Sequence, residues 1–304
     1  MLKDIISRAY QLINEPLDPV LKTGDLSEVI NYRESEAGET VEYFASNQIR
    51  EAATLIAAAG DGSLTYHKIP LKTTVALTFS GLQSNAENIL IDEILNSKDQ
   101  NALAQKKEAI IAAMDSEEAY LVCSLVSAAT AQEVNKVTGM DLLGTIVKMK
   151  EKVSDYATDY VLLVASDVMN KVDSYDLDMK ASYNYRMGIK ETLASIGVVK
   201  VIKIQGLNKV GAPVLANGTA LLIGRNSKIS DGRPITLLRR KFSKEIAEFS
   251  GAAEGAVRLV DIAKTPMTVV GGKLSLSYSC FGYESIISCL VNPYAVAFSD
   301  DILS

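Results

Sequence analysis

The sequence predicts an α+β fold with an α/β segment set into its middle. Three observations predict it. A run of helical signals extends from Ser84 to about Val134, strands alternate with helices from Tyr160 to Ile223, and mostly strands follow from Pro234 onward.

At the N-terminus Leu2, Ile5, Ile6, Ala9, Leu12 and Ile13 give a short amphipathic stretch that must end before Pro16. From Leu17 to Ile30 no clear period holds, so residues 1–30 read as an arm seeking a partner surface. Alternation starts at Gly38, an alanine-rich stretch runs from Gln48 to Ala59, and Gly60-Asp61-Gly62 marks a turn. Leu64 to Pro70 and Thr73 to Phe79 then read as extended. Residues 31–72 form a long excursion, with Glu39 and Glu42 on the way out and His67, Lys68 and Lys72 on the return. Such charge on alternate positions suits a solvated or partner-facing ribbon.

After the cap candidates Ser84 and Asn85, the positions Ile89, Leu90, Ile91, Ile94 and Leu95 predict a helix. Helix formers continue from Asn101 to Met114, and Asp115-Ser116-Glu117-Glu118 reads as the start of another helix. A further helix is predicted from about Thr138 to Val153. Then come strand Tyr160–Ala165, a helix from Asp167, helix Ile189–Ser195 ending at Gly197, and strands Val198–Ile204 and Thr219–Ile223. The predicted closing strands are Ile235–Leu238, Ala256–Asp261, Met267–Val270, Leu274–Phe281, Ile286–Leu290 and Ala295–Phe298.

Composition narrows the function. With 48% hydrophobic and 22% charged residues the 304-residue chain is globular, and no apolar run approaches the ~20 residues of a membrane helix. Lys3, Asp4 and Arg8 interrupt the first residues, which lack the apolar centre of a secretory signal; a protein made and kept in the cytosol is expected. Cys123, Cys280 and Cys289 are odd in number and have no C-x-x-C spacing, so buried free thiols are expected. A net charge of -6 argues against a surface built to grip phosphate backbones.

Catalytic signatures are missing. His67 is the single histidine, which removes most zinc and triad designs. The glycine-rich stretches Gly206–Gly211, Gly251–Gly255 and Gly271-Gly272 have neither Walker nor dinucleotide-binding spacing. Glu117-Glu118, Asp176 with Asp178, and Asp300-Asp301 read as solvated faces. The run Arg239-Arg240-Lys241, followed by Lys244, suits phosphate or an intersubunit contact, and Tyr175, Tyr183 and Tyr185 beside Arg186 suit a packing surface. No catalytic, cofactor-binding or metal-ligating residue is assigned, and no cofactor is expected.

The order of elements resembles the tailed-bacteriophage major capsid protein family. The likeness rests on the arm Met1–Ile30, the excursion Asn31–Lys72, the strand Thr73–Ser80 and the helical region from Asn85. It rests further on Tyr160-Val-Leu-Leu-Val-Ala-Ser-Asp-Val-Met169, Gly211-Ala-Pro-Val214, Gly218-Thr-Ala-Leu-Leu-Ile223 and the ending Asn292-Pro-Tyr-Ala-Val-Ala297. The resemblance implies an N-terminal arm (1–30), an extended β-hairpin loop (31–72), a peripheral domain with a long spine helix (73–139 and 256–304) and an axial α/β domain (140–255). It implies a non-enzymatic shell subunit of a virion, made in the host cytoplasm. Its partners would be copies of itself in hexamers and pentamers, scaffolding and portal proteins, and packaged double-stranded DNA contacted non-specifically, with no membrane. An encapsulin-like compartment shell and a cytosolic α/β enzyme with an unrecognised site are the competing expectations.

Overall fold

The computed structural model describes residues 26–36, 42–45, 73–76, 79–84, 87–90, 101–135, 141–181, 188–208, 210–225, 233–246, 255–264, 268–270, 273–275 and 277–303. A single 3-10 turn, Leu26–Glu28, leads into β1 (Ile30–Ser35). Then follow β2 (Glu42–Ala45), β3 (Thr73–Ala76), β4 (Ser80–Gln83), β5 (Glu87–Leu90), α1 (Asn101–Ser127) and α2 (Leu142–Val153). The middle of the chain gives β6 (Tyr160–Val164), α3 (Ser166–Ala181), α4 (Ile189–Ser195), β7 (Val198–Lys203) and β8 (Ala220–Gly224). The last part gives β9 (Ile235–Arg240), β10 (Arg258–Lys264), β11 (Thr268–Val270), β12 (Lys273–Ser275), β13 (Ser277–Leu290) and β14 (Val296–Ser299).

Two sheets organise these elements. In the four-stranded sheet, ordered β14-β8-β6-β7, only β6 and β7 run parallel. Every residue of β6 and β8 is buried, which is why both read as unbroken apolar runs rather than as alternating ones. Helix α2 packs against β8 and β14, and α4 against β7 and α3. Asp141 caps α2, its carboxylate accepting from the Gly144 N–H at 2.7 Å. Asp141→Ala is expected to cost about 1 kcal/mol, read as a lower urea midpoint at unchanged slope. The turn after α4 passes through Gly197 at φ +94°, a conformation a side chain would strain.

The six-stranded sheet is built around β13. Tyr278 pairs with both Ile89 and Lys264, Glu284 with both Leu82 and Arg258, and Ile286 with both Ser80 and Arg239. Each residue has one partner per side, so β5 and β4 follow one another along one edge of β13, and β10 and β9 along the other. The parallel strand β1 closes the sheet beyond β9. The chain between β9 and β10 leaves and re-enters this edge, pinned at its neck by the Phe242 N–H donating to the Ala256 carbonyl at 3.0 Å. Helix α1 lies across β13 where Gly282 allows close approach; a Cβ there would meet Met114 and, at 2.8 Å, Ile110.

Three expectations need correction. Residues 87–90 are a strand, not the start of a helix, because pairing with Ser277–Cys280 of β13 overrides the helical stripe and suits the apolar pair Ile89-Leu90. The two helices expected on either side of Asp115 are one 27-residue helix, about 40 Å long. Asp115-Ser116-Glu117-Glu118 does not cap a new helix; all four side chains are buried inside the existing one. The two strands expected over Leu274–Phe281 and Ile286–Leu290 are instead the short β12 and the continuous β13.

Strand β9 runs in the six-stranded sheet and β14 in the four-stranded one. Leu26, Val29 and Ile30, at the end of the expected arm, are core residues, and Asn31–Ser35 pair with β9. Within the expected excursion β2 pairs antiparallel with β3, which lies just beyond its end. Residues 1–25 and 46–72, with the apolar face of the arm, Gly60-Asp61-Gly62, His67, Lys68 and Lys72, lie outside the described residues.

Candidate functional site

Between α1 and the six-stranded sheet lies a buried network of five charged side chains. Its register follows from two periodicities. On β13 the residues Cys280, Gly282, Glu284 and Ile286 share the buried face, while the side chains between them are partly or fully exposed. On α1, Asp115 and Glu118 are three residues apart and face the same way. Strand β10 places Arg258 directly opposite Glu284, and β9 contributes Arg239.

Arg258 sits at the centre and is fully buried. Its Nη1 donates to Asp115 Oδ1 at 2.7 Å, its Nε donates to Glu284 Oε2 at 2.5 Å, and its Nη2 stands 3.1 Å from Glu118 Oε1. Arg239 forks onto Glu118, with Nε to Oε1 at 2.8 Å and Nη2 to Oε2 at 2.6 Å, the bidentate geometry that a planar guanidinium favours. The Arg239 guanidinium also lies 5.0 Å from the ring centroid of Tyr32 on β1. Four separate strands or helices are thus tied together by one set of charges. Burial pulls the Arg258 guanidinium down, but the carboxylates of Glu118, Glu284 and Asp115 outweigh this and hold it more firmly protonated than usual. Burial pushes the Tyr32 phenol up, aided by Glu118.

Sequence reasoning misread these residues. Glu117-Glu118 is buried rather than solvated, since α1 is covered at mid-length on opposite sides by the sheet and by the loop after β7, where Gly206 stands against Ser116. The run Arg239-Arg240-Lys241 is split by strand alternation. Arg239 points inward, Arg240 stacks 4.0 Å from the Phe79 ring centroid, and Lys241 pairs with Glu36 at 2.8 Å and Glu34 at 3.6 Å near the root of the excursion. A signal was present: Glu284 alternates with Cys280, Gly282 and Ile286 and so occupies a core-facing position.

The other predicted residues are spread over the fold. All three cysteines are buried free thiols, and burial pushes Cys123 up to about 12 and Cys289 up to about 11, far from a reactive thiolate. Asp301 accepts a hydrogen bond from the Ser299 hydroxyl, and Tyr175 lies under the Lys171 ammonium. Tyr183, Tyr185, Arg186 and residues 226–232 lie outside the described residues. A cavity of about 70 Å³ beside the network, lined by Leu82, Ser84, Met114, Glu117 and Asn208, has room for a few water molecules. No helix among the described residues is long and apolar enough to cross a membrane.

One surface element stands apart. After β7 the chain turns on Asn208, whose side-chain oxygen accepts from the N–H groups of Val210 (3.1 Å) and Ala212 (2.9 Å) while its own N–H donates to the Ala212 carbonyl. This self-contained turn holds two apolar side chains out in solvent, Leu207 at 59% and Val210 at 76% exposure.

No family model matches the sequence, and no curated protein matches it. Solved structures do. The putative capsid protein of a prophage of E. coli CFT073 aligns with 98% of this chain and 98% of its own length at 9% identity and a TM-score of 0.51. The capsid structure of the cyanophage P-SCSP1u aligns over 94% of this chain and 90% of its own at 10% identity and a TM-score of 0.50. The virus-like particle from Pyrococcus furiosus aligns over 98% and 97% at 9% identity and a TM-score of 0.50. At such identities the likeness is one of fold, and it runs from end to end: the chain has the fold of these capsid and virus-like-particle proteins.

Proposed function

We propose that this chain is the major capsid protein of a tailed phage, self-assembling into the icosahedral shell that encloses double-stranded DNA. The observation that carries the reading is end-to-end coverage. Capsid structures account for 94% or more of this chain and are themselves covered for 90% or more, so the reading concerns the full span of this chain and not one module of it. The role is structural rather than enzymatic.

In this reading the six-stranded sheet with α1 forms the peripheral domain, and the four-stranded sheet with α2, α3 and α4 the axial one. The β2–β3 pair is the root of an extended loop laid across a neighbour, and residues 1–30 contribute an arm. The Asn208 turn, with Leu207 and Val210 exposed, is suited to meet its own copies around a capsomer axis. Hexamers and pentamers of the chain, scaffolding and portal proteins, and non-specifically held DNA are the partners, and the assembled virion is the location after synthesis in the host cytoplasm. The net charge of -6 keeps contact with packaged DNA weak.

The test is electron microscopy of the purified full-length chain. Capsomers or closed shells are the expected result, and a monodisperse monomer or dimer at high concentration overturns the reading. An encapsulin-like compartment shell is the second reading, supported by the equally complete alignment with the virus-like particle. A portal gene beside this one selects the phage reading.

A further inference from the structure

We propose that Glu284 is a buried proton-binding site, which keeps α1 seated on β13 while it is protonated and loosens that seat when it ionises. The inference rests on the intrachain network alone and stands whether or not the chain builds shells.

Charge balance is the first argument. Asp115 and Glu118 from α1, Glu284 from β13, Arg258 from β10 and Arg239 from β9 are all buried, so three carboxylates face two guanidiniums. One negative charge is left over where water cannot solvate it. Strand β1 adds the neutral phenol of Tyr32 and, in register with Arg239, the exposed carboxylate of Glu34, which pairs with Lys241; its Arg33 is exposed, and β4 brings no titratable group. Glu87 of β5 pairs opposite Cys280, four residues along β13. Glu117, the remaining buried acid of α1, lines the adjoining cavity.

Geometry chooses the site. Both oxygens of Glu118 take guanidinium hydrogen bonds from Arg239, and Oε1 faces Arg258 as well. Glu284 is held through Oε2 alone, and its buried Oε1 has no hydrogen-bond partner. A proton on Glu284 therefore neutralises the network without displacing an arginine. Consistently, burial first and the Glu118 charge second push the Glu284 carboxyl up to about 8, against the pull of Arg258.

The sign follows. An unfolded glutamate releases its proton near pH ~4.3, so the folded chain holds one proton more than the unfolded chain from there to about 8. Stability from this group is complete in acid and falls about tenfold in the folding equilibrium per pH unit across that window, then levels.

Infrared titration of the full-length protein from about pH 6 to about pH 10 reads the proton directly, through the carbonyl stretch of a buried carboxylic acid. The expected result is one such band, lost with a midpoint near 8 and absent from Glu284→Gln. Asp115→Asn removes the surplus negative charge and leaves more of the Arg258 charge to Glu284, so it is expected to move the midpoint down by about one pH unit. This second variant keeps the test decisive if Glu284→Gln does not fold. No acid band in the wild type, a band that persists in Glu284→Gln, or an unmoved midpoint in Asp115→Asn overturns the proposal.

Discussion

Arg258→Ala is expected to leave the chain largely unfolded or insoluble. Arg258 binds Asp115, Glu118 and Glu284 with a side chain that is fully buried, so its removal leaves all three buried acids with Arg239 as the remaining cation of the network. Breaking a buried ion pair from one side costs about 3–5 kcal/mol, against a total stability of about 5–15 kcal/mol. Arg258→Lys is expected to rescue little, because one ammonium cannot present the fork that serves Asp115, Glu118 and Glu284 together. Arg225→Ala is the control. Its ion pair with Glu28 at 3.2 Å is partly exposed and is expected to matter by less than about 1 kcal/mol. Urea unfolding of the three variants against the wild type checks this, and an Arg258→Ala midpoint close to that of Arg225→Ala would show that the network adds nothing to folding.

Gly282→Val is expected to have the next largest effect. The glycine is needed for space: even a single Cβ would overlap Met114 and press on Ile110 where α1 crosses β13. Overpacking of this kind costs about 1–3 kcal/mol and more when backbone must move. Met114→Ala alone opens a cavity and costs about 2–5 kcal/mol. The double variant is expected to be clearly more stable than the sum of the two losses, since the valine methyls occupy the space the methionine leaves. Thermal unfolding of the four proteins in a double-mutant cycle measures that coupling, and simple additivity would place the valine elsewhere.

The fold was most legible where a buried strand shows as an unbroken apolar run or an amphipathic helix carries its own period. Helix Ile189–Ser195 and the strands Tyr160–Val164 and Ala220–Gly224 lie within a residue or so of their expected bounds. Residues 87–90 were misread because the apolar pair Ile89-Leu90 is too short to show a period of its own, and only β13, nearly two hundred residues later, makes the segment a strand. The long helix was cut in two because acids on a helix carry the same letters whether they cap it or meet arginines in its flank. The charge network was illegible for the same reason. Its five members come from four elements spread over 170 residue positions, and no local spacing joins Asp115 to Glu284.

The central place of β13 also sets an order in time. The strands β1, β4, β5, β9 and β10 all leave a synthesising ribosome before the strand on which their sheet is built. Until residues 277–290 emerge, β4 and β5 have no partner, β1 and β9 have only each other, and the half-network on α1 is without Glu284. Pairings of such long sequence separation close slowly and leave strand edges open to strangers. The nascent chain therefore depends on its last part to become insensitive to its neighbours, and a ribosome stalled before Ser277 leaves a sticky fragment rather than a smaller folded protein.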